Sequence, residues 1–281
     1  MKINIFSIPS NAGALYKGTE LAPEVLLKKN LVGKLEERGL QVQNMGDIGD
    51  FSNLPRHNVE PIRNWPAPRM VWDAIVEKSD EIFDPDFFSI ILGGDCSIEV
   101  GTFTAFQKVF GDKCHLLVLD THIDSIEPNG DRCVGAAGMG LWFLTQDRKV
   151  WWKEEPVKVS DVSIIGANSN TQNHYGFKVV PILEHTNMEP VIALLHEMSP
   201  DAKILVHFDV DLLDQSIMPS AYSPNMAGLS FQHAKELLSI ILSDPRVKGM
   251  EVTEFAANKG NDGTSANTIV DLLCCISKRE E

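Results

Sequence analysis

Two short acidic stretches in this chain have residue types and spacing that suit metal binding: DTHID at 120–124 and HFDVDLLDQ at 207–215. In an extended chain, residues i, i+2 and i+4 share a face. Asp120, His122 and Asp124 therefore point together, as do Asp209 and Asp211. Four carboxylates and an imidazole in one pocket cannot all stay charged without a counterion. Either their pKa values rise steeply or cations sit among them. Carboxylates with imidazole suit Mn, Fe, Co or Zn, and clustered bridging carboxylates suit a pair of ions. A lone Asp after a strand is more simply a helix cap or turn former. Both stretches together, each after a strong strand, favour metal.

The elements that must position these residues are short apolar runs. FFSIILGG (87–94) leads into GGDCS, HLLVLD (115–120) into DTHID, and KILVHFDVD (203–211) into the second acidic stretch. INIFSIP (3–9), VQNMGDI (42–48), VSIIGA (162–167) and VKGMEVTEF (247–255) have the same strand-like character. Helix-like segments lie between them, among them APEVLLKKNLVGKLEERG (22–39), GTFTAFQKVFG and SFQHAKELLSIILSD. Continuous apolar strands alternating with helices predict an α/β fold, a doubly wound and mostly parallel sheet with helices on both faces. No repeat or linker divides residues 1–281, so one domain is expected. In such sheets ligands gather at the carboxyl ends of the strands, which is where the Asp, His and Cys residues fall. Residues 51–70, rich in Pro and Asn, predict a loop, either a surface excursion or a rim of the active site.

Composition narrows the class of function. The formal net charge is 25 − 39 = −14, which argues against nucleic acid as a partner because phosphate neutralisation needs clustered Lys and Arg. An acidic surface serves solubility first, and also attracts cations. The five cysteines have no regular spacing, unlike a secreted disulfide framework. There is no signal-peptide core and no apolar stretch long enough for a bilayer. A cytoplasmic protein without membrane contact is expected.

GGDCS (93–97), DTHID (120–124) and HFDVDLLDQ (207–215) resemble, in order and separation, the three signature motifs of the ureohydrolase superfamily, which holds arginase, agmatinase and formimidoylglutamase. MEVTEFAAN (250–258) resembles the segment that carries the family's guanidinium-facing carboxylate, which falls on Glu254. The likeness runs from about Ile90 onward, and GTELAPEVLL resembles the family's N-terminal region. It implies an arginase-like three-layer fold and two divalent metal ions, Mn by preference. The ligands would be Asp120, His122, Asp124, Asp209 and Asp211, with Cys96 at the position of a sixth, histidine ligand. It also implies hydrolysis of a C–N bond in a small guanidino-type substrate. Asp124 and Glu254 would be catalytic, and the assembly a homo-oligomer, trimeric or hexameric.

Three departures qualify that implication. Cys96 bound as thiolate gives the shell of four Asp and one Cys a formal −5 against +4 from two divalent ions, where the usual shell is −4. That favours softer ions such as Zn or Fe, with Co also possible. A neutral thiol would be a poor ligand, and a buried structural cysteine is the remaining reading. The proton-shuttling His of arginases falls on Ala137, and the groups receiving the amino-acid carboxylate fall at Cys133 and Gly135. The acidic partner of the arginine α-amino group falls near Thr171, with His174 in the same loop as a candidate shuttle or substrate contact. His115 and His207 read as packed or hydrogen-bonded core residues, and Trp142, Trp151 and Trp152 as core or oligomer contacts. The departures point to a substrate other than ordinary L-arginine, guanidino or alternatively a formimino compound or hydroxyguanidine. The competing expectation is an arginase-like binding or regulatory protein without activity.

Overall fold

Alternation along each strand decides how the layers form. Leu117 and Leu119 enter one hydrophobic core, while their neighbours Leu116 and Val118 enter another. Ile90 and Leu92 divide from Ile91 in the same way. A strand buried on both faces needs apolar residues at every position, and this is the pattern that the apolar runs carry.

The computed structural model describes residues 1–167, 171–181, 187–260 and 263–277. Its strands are β1 (Lys2–Ser7), β2 (Gln41–Asp47), β3 (Phe88–Leu92), β4 (Cys114–Leu119), β5 (Val162–Ile165), β6 (Lys178–Val180), β7 (Lys203–Asp209) and β8 (Val247–Thr253). Its helices are α1 (Ala22–Lys28), α2 (Leu31–Glu37), α3 (Ala67–Glu77), α4 (Ser79–Ile82), α5 (Ile98–Phe110), α6 (Gly140–Thr145), α7 (Glu189–Glu197), α8 (Phe231–Ser243) and α9 (Thr264–Leu273). The strands form one sheet in the order β2-β1-β3-β8-β7-β4-β5-β6, and every neighbouring pair is parallel. Helices α1, α2, α7, α8 and α9 contribute to one core, and α3 to α6 to the other. The expected doubly wound α/β architecture is therefore present, with a wholly parallel sheet. Among the described residues, no helix is long and apolar enough to cross a membrane.

Local chemistry explains where the elements stop. The segment 22–39 forms two helices, because Asn30 takes a left-handed conformation with φ 60°. A single left-handed residue ends one helix and re-aims the chain. Edge strand β6, KVV, is too short to stand out as an apolar run. Residues 48–66 contain no helix or strand, only a bridge from Ile62 to Val134. Trp142 and Trp152 lie in the core on the α5 side, and Trp151 packs against it. Trp72 meets Phe143 in a tilted contact at 5.0 Å and Trp152 edge-on at 5.4 Å between ring centroids, so aromatic packing pins this face.

The turn after β3 allows one residue type. A Cβ built on Gly94 would lie 1.7 Å from the carbonyl oxygen of Ser10, a backbone atom with nowhere to go. Replacing Gly94 with Ala should cost about 3 kcal/mol or more of stability by forcing the backbone apart. Gly130, with nothing within 4 Å of its built Cβ, is the control. Thermal denaturation of Gly94→Ala and Gly130→Ala should show a large loss in the first and little change in the second.

Candidate metal centre

Four adjacent central strands, β3, β8, β7 and β4, end side by side. The chain beyond β3 carries Cys96, that beyond β8 carries Glu254, β7 ends in Asp209 with Asp211 just after it, and β4 runs into Asp120, His122 and Asp124. Register fixes this alignment: Leu92 pairs with Val252, Phe208 with Val252, and Leu119 with Phe208. A cavity of about 260 Å³ opens above these ends, lined in part by His122, Asp124, Asp209, Asp211 and Glu254.

Two overlapping groups have the spacing of metal ligands. Cys96, Asp120 and Asp124 offer donor atoms that all lie within 4.8 Å of one another, and so do Asp120, His122 and Asp211. Asp120 belongs to both, so one carboxylate stands between two neighbouring positions. His122 Nδ1 is 3.3 Å from Asp120 Oδ1 and 3.0 Å from Asp211 Oδ2. Asp209 lies outside both groups but accepts a hydrogen bond from Cys96 Sγ at 3.1 Å through Oδ2. Its other oxygen accepts from the Asp211 backbone N–H at 2.7 Å. Carboxylates, one imidazole and one sulfur make a donor set that fits a pair of divalent cations.

The electrostatics give the same answer. Burial, then the charges of neighbouring carboxylates, raises the pKa of Asp124 and Asp209 well above the usual carboxylate range. Burial and Asp120 lift Asp211 to about 6, with the His122 ring holding it back. His122 is raised to about 12 by its hydrogen bonds to Asp120 and Asp211; its proton occupies ground that a cation would contest. Burial and the charges of Asp209 and Glu254 push the Cys96 thiol up, so the protein alone holds it as S–H. A bound cation inverts this, since coordination deprotonates a thiol.

Asp124 and Glu254 both have left-handed backbones, with φ 42° and 62°. Such conformations cost of order 1–3 kcal/mol in non-glycine residues and persist where surrounding structure imposes them. Around Asp124 the imposing bonds are Leu141 N–H to its carbonyl at 3.0 Å and Ile126 N–H to Gly138 O at 3.0 Å. Around Glu254 they are its own N–H to Gly94 O at 2.9 Å and Tyr222 N–H to its carbonyl at 2.7 Å. Glu254 Oε1 accepts from Cys96 N–H at 2.7 Å, while buried Oε2 has no partner. Burial raises this carboxyl to about 8, Asp95 adds to the rise, and the Cys96 N–H opposes it.

Beneath Cys96 lies a polar group that sequence reasoning assigned to the core without seeing its connections. His207 Nε2 is 3.2 Å from Cys96 Sγ, and His207 Nδ1 is 2.6 Å from Glu251 Oε1 and 3.8 Å from Glu99 Oε2. Thr253 Oγ1 also sits 3.2 Å from Cys96 Sγ. Burial alone would lower the His207 pKa, but Glu99 and Glu251 raise it to about 10. Each of the three is at most 1% exposed. The available signal was Glu251 inside the apolar run VKGMEVTEF, because a fully buried Glu almost always has a partner.

The remaining expected residues fall into two groups. Ala137 and Gly135 line the inner cavity and bring no polar side chain to it. Thr171 and His174 instead line a wider outer cavity of about 960 Å³ that also touches His122 and Asp124. His174 Nε2 lies 2.9 Å from Gln172 Oε1. The Cys133 Sγ donates to Val59 O at 3.6 Å. Asp95 receives backbone N–H groups from Gly13 at 3.0 Å and Ser97 at 3.1 Å, so it organises the loop. Asp214 does the same for the Ser216 N–H at 2.9 Å.

Comparison with known proteins accords with this geometry. The family model described as Arginase family matches residues 1–277. Arginase-1 of Bos taurus is 25% identical over 98% of this chain and 91% of its own length. The crystal structure of arginase from Bacillus cereus superposes with a TM-score of 0.83 at 22% identity, covering 100% of this chain and 99% of the other. Formimidoylglutamase from Bacillus subtilis shares the fold with a TM-score of 0.74 at 17% identity, covering 98% and 86%.

If Cys96 binds metal through sulfur, Co(II)-loaded protein should show an intense near-ultraviolet sulfur-to-cobalt absorption, absent from Cys96→Ser. Cys96→His should lose the band yet hold Mn(II) more tightly, because imidazole suits that ion better than thiolate. Identical spectra for the wild-type and Ser proteins would exclude sulfur ligation. Chelation should lower the melting temperature, since a cation that binds only the folded state stabilises it.

Proposed function

The chain belongs to the arginase family, and from that premise we propose that it is a binuclear metal-dependent hydrolase that cleaves a C–N bond of a small guanidino compound other than L-arginine. The observation that carries this reading is the shared carboxylate: Asp120 completes both ligand groups, and Glu254 lines the cavity beside them. Cys96, Asp120 and Asp124 would hold one cation and Asp120, His122 and Asp211 the other, with Asp209 beside Cys96. Mn is the choice on family grounds, and the sulfur shifts the balance towards Zn, Fe or Co. When bound, such a pair supplies Lewis acidity that makes water a competent nucleophile near neutral pH.

The protein's own groups do the rest. Glu254 is anchored through Oε1, which leaves Oε2 free to accept from a planar guanidinium. A charge-assisted contact of this kind fixes the orientation of the central carbon. Asp124 lines the same cavity and is assigned to carry the proton from the attacking water to the departing nitrogen. Ala137 supplies no shuttle, and Cys133, Gly135 and Thr171 do not reproduce the expected contacts to the arginine α-substituents. Family resemblance further supports one domain and a trimeric or hexameric assembly.

One specific observation favours a second reading, an arginase-like binding or regulatory protein. Cys96 at a ligand position, Ala137 at the shuttle position and Thr171 at the amine-binding position occur together. Metal content separates the two: two tightly held ions per chain support the hydrolase, and none supports the rival.

Protein loaded with Mn(II), Co(II), Fe(II) or Zn(II) should release urea from at least one guanidino compound. Formamide or ammonia release would instead identify a formimino substrate. Glu254→Gln should lower kcat/KM about 10–100-fold, the cost of one charged hydrogen bond, with metal content intact. Absence of turnover with every metal and compound would overturn the proposal.

A further inference from the structure

The inner cavity is bipolar. Its floor carries Asp124, Asp209, Asp211 and Glu254, while Arg63 is the one Lys or Arg among its lining residues. An arginine that shares a cavity with several carboxylates can pair with one where its reach allows. Here its hydrogen-bond partners are neutral: Nε donates to Asn58 Oδ1 at 2.8 Å and Nη2 to Cys133 O at 3.4 Å. Among the described residues, the guanidinium has no carboxylate oxygen within 4.0 Å. A positive charge is thus held in the cavity wall without an anion.

The fold anchors the backbone on both sides of Arg63 beside the cavity. Ile62 forms a parallel bridge to Val134, with Arg63 N–H bonded to Val134 O at 2.8 Å and Val134 N–H to Pro61 O at 3.1 Å. Asn64, only 2% exposed, donates to Ala12 O at 3.0 Å and accepts from His57 N–H at 2.9 Å. These bonds lock the stretch 57–64 onto the wall that carries Gly135 and Ala137. Gly135 lies against the guanidinium, since a built Cβ there would come 3.4 Å from Arg63 Nη1, an ordinary contact. That Cβ would also strike Gly13 O at 2.2 Å, so the open wall is imposed by packing.

We propose that Arg63 forms an anion subsite, and that the protein selects a short guanidino compound ending in a carboxylate without an α-amine. The inference rests on the guanidino-hydrolase reading for the other end of the ligand. Glu254 would take the guanidinium, and Arg63 would take the carboxylate through two parallel N–H contacts, the geometry that its planar fork favours. A terminal amine would place like charge against Arg63, and an uncharged tail would leave the half-buried guanidinium unpaired. Sites built around a polar partner reject analogues that lack it.

Calorimetric titration of the metal-loaded protein tests this without needing turnover, using 4-guanidinobutanoate, butylguanidine and agmatine as probes. The wild type should bind the acid at least about 10-fold more tightly than either other probe. Arg63→Met should erase that ratio, Arg63→Lys should keep part of it, and Arg63→Glu should reverse it in favour of agmatine, all with melting temperature and metal content near wild type. An acid-to-neutral ratio that survives Arg63→Met, or a wild type that does not prefer the acid, would overturn the subsite. Preferential binding without turnover would preserve the subsite and overturn the hydrolase; turnover with no preference would do the reverse.

Discussion

The structure turns on one constraint: acidic groups from three different loops share a buried volume at the ends of four parallel strands. Like charges in a poorly polarisable interior cannot all ionise together. Asp120, Asp209 and Asp211 are each at most 2% exposed, so water does little to relieve them. Protons on the carboxyls, the imidazolium of His122 and the thiol hydrogen of Cys96 relieve part of the repulsion. Divalent cations would relieve most of it. A site that is electrostatically incomplete by itself is a site built to bind positive charge.

Everything around it serves that concentration of charge. Asp95 and Asp209 spend oxygens on backbone N–H groups, which holds the loops in place and removes those oxygens from competition. Glu254 spends one oxygen on the Cys96 N–H and keeps the other. The left-handed backbones of Asp124 and Glu254 show that two carboxylates are held where the chain alone would not put them. Both strained residues line the same cavity.

Cys96 and the groups behind it distinguish this centre from one with a histidine in that place. A thiol at 3.1–3.2 Å from Asp209, Thr253 and His207 is fixed from three directions. His207 is in turn held by Glu251, and Glu99 sits opposite. Cys96 is therefore embedded in its own buried polar network, where a misplaced partner would leave an unpaired charge. Gly135 and Ala137, which bring no polar side chain, line the same cavity as Arg63. The carboxylate-rich floor and the wall that carries Arg63 thus differ in the sign of their charge.

The local patterns of DTHID and DVD were legible in the sequence, because period-two spacing and a preceding apolar run decide which side chains emerge together. The apolar runs themselves determined the doubly wound parallel sheet, since only strands covered on both faces have that composition. Glu254 was visible only through family resemblance, because one Glu after a strand has no distinctive spacing. The split at Asn30 and the edge strand β6 were hidden by weak, short signals. The sequence also could not show that β7 and β8, late in the chain, lie between β3 and β4. That insertion brings Glu254 to Cys96 across 158 residues and His207 to Cys96 across 111. The bridge between Ile62 and Val134 likewise carries Arg63 to the cavity. Strand order and loop bridging arise from contacts between distant segments, and no local pattern of residues records which segments will meet.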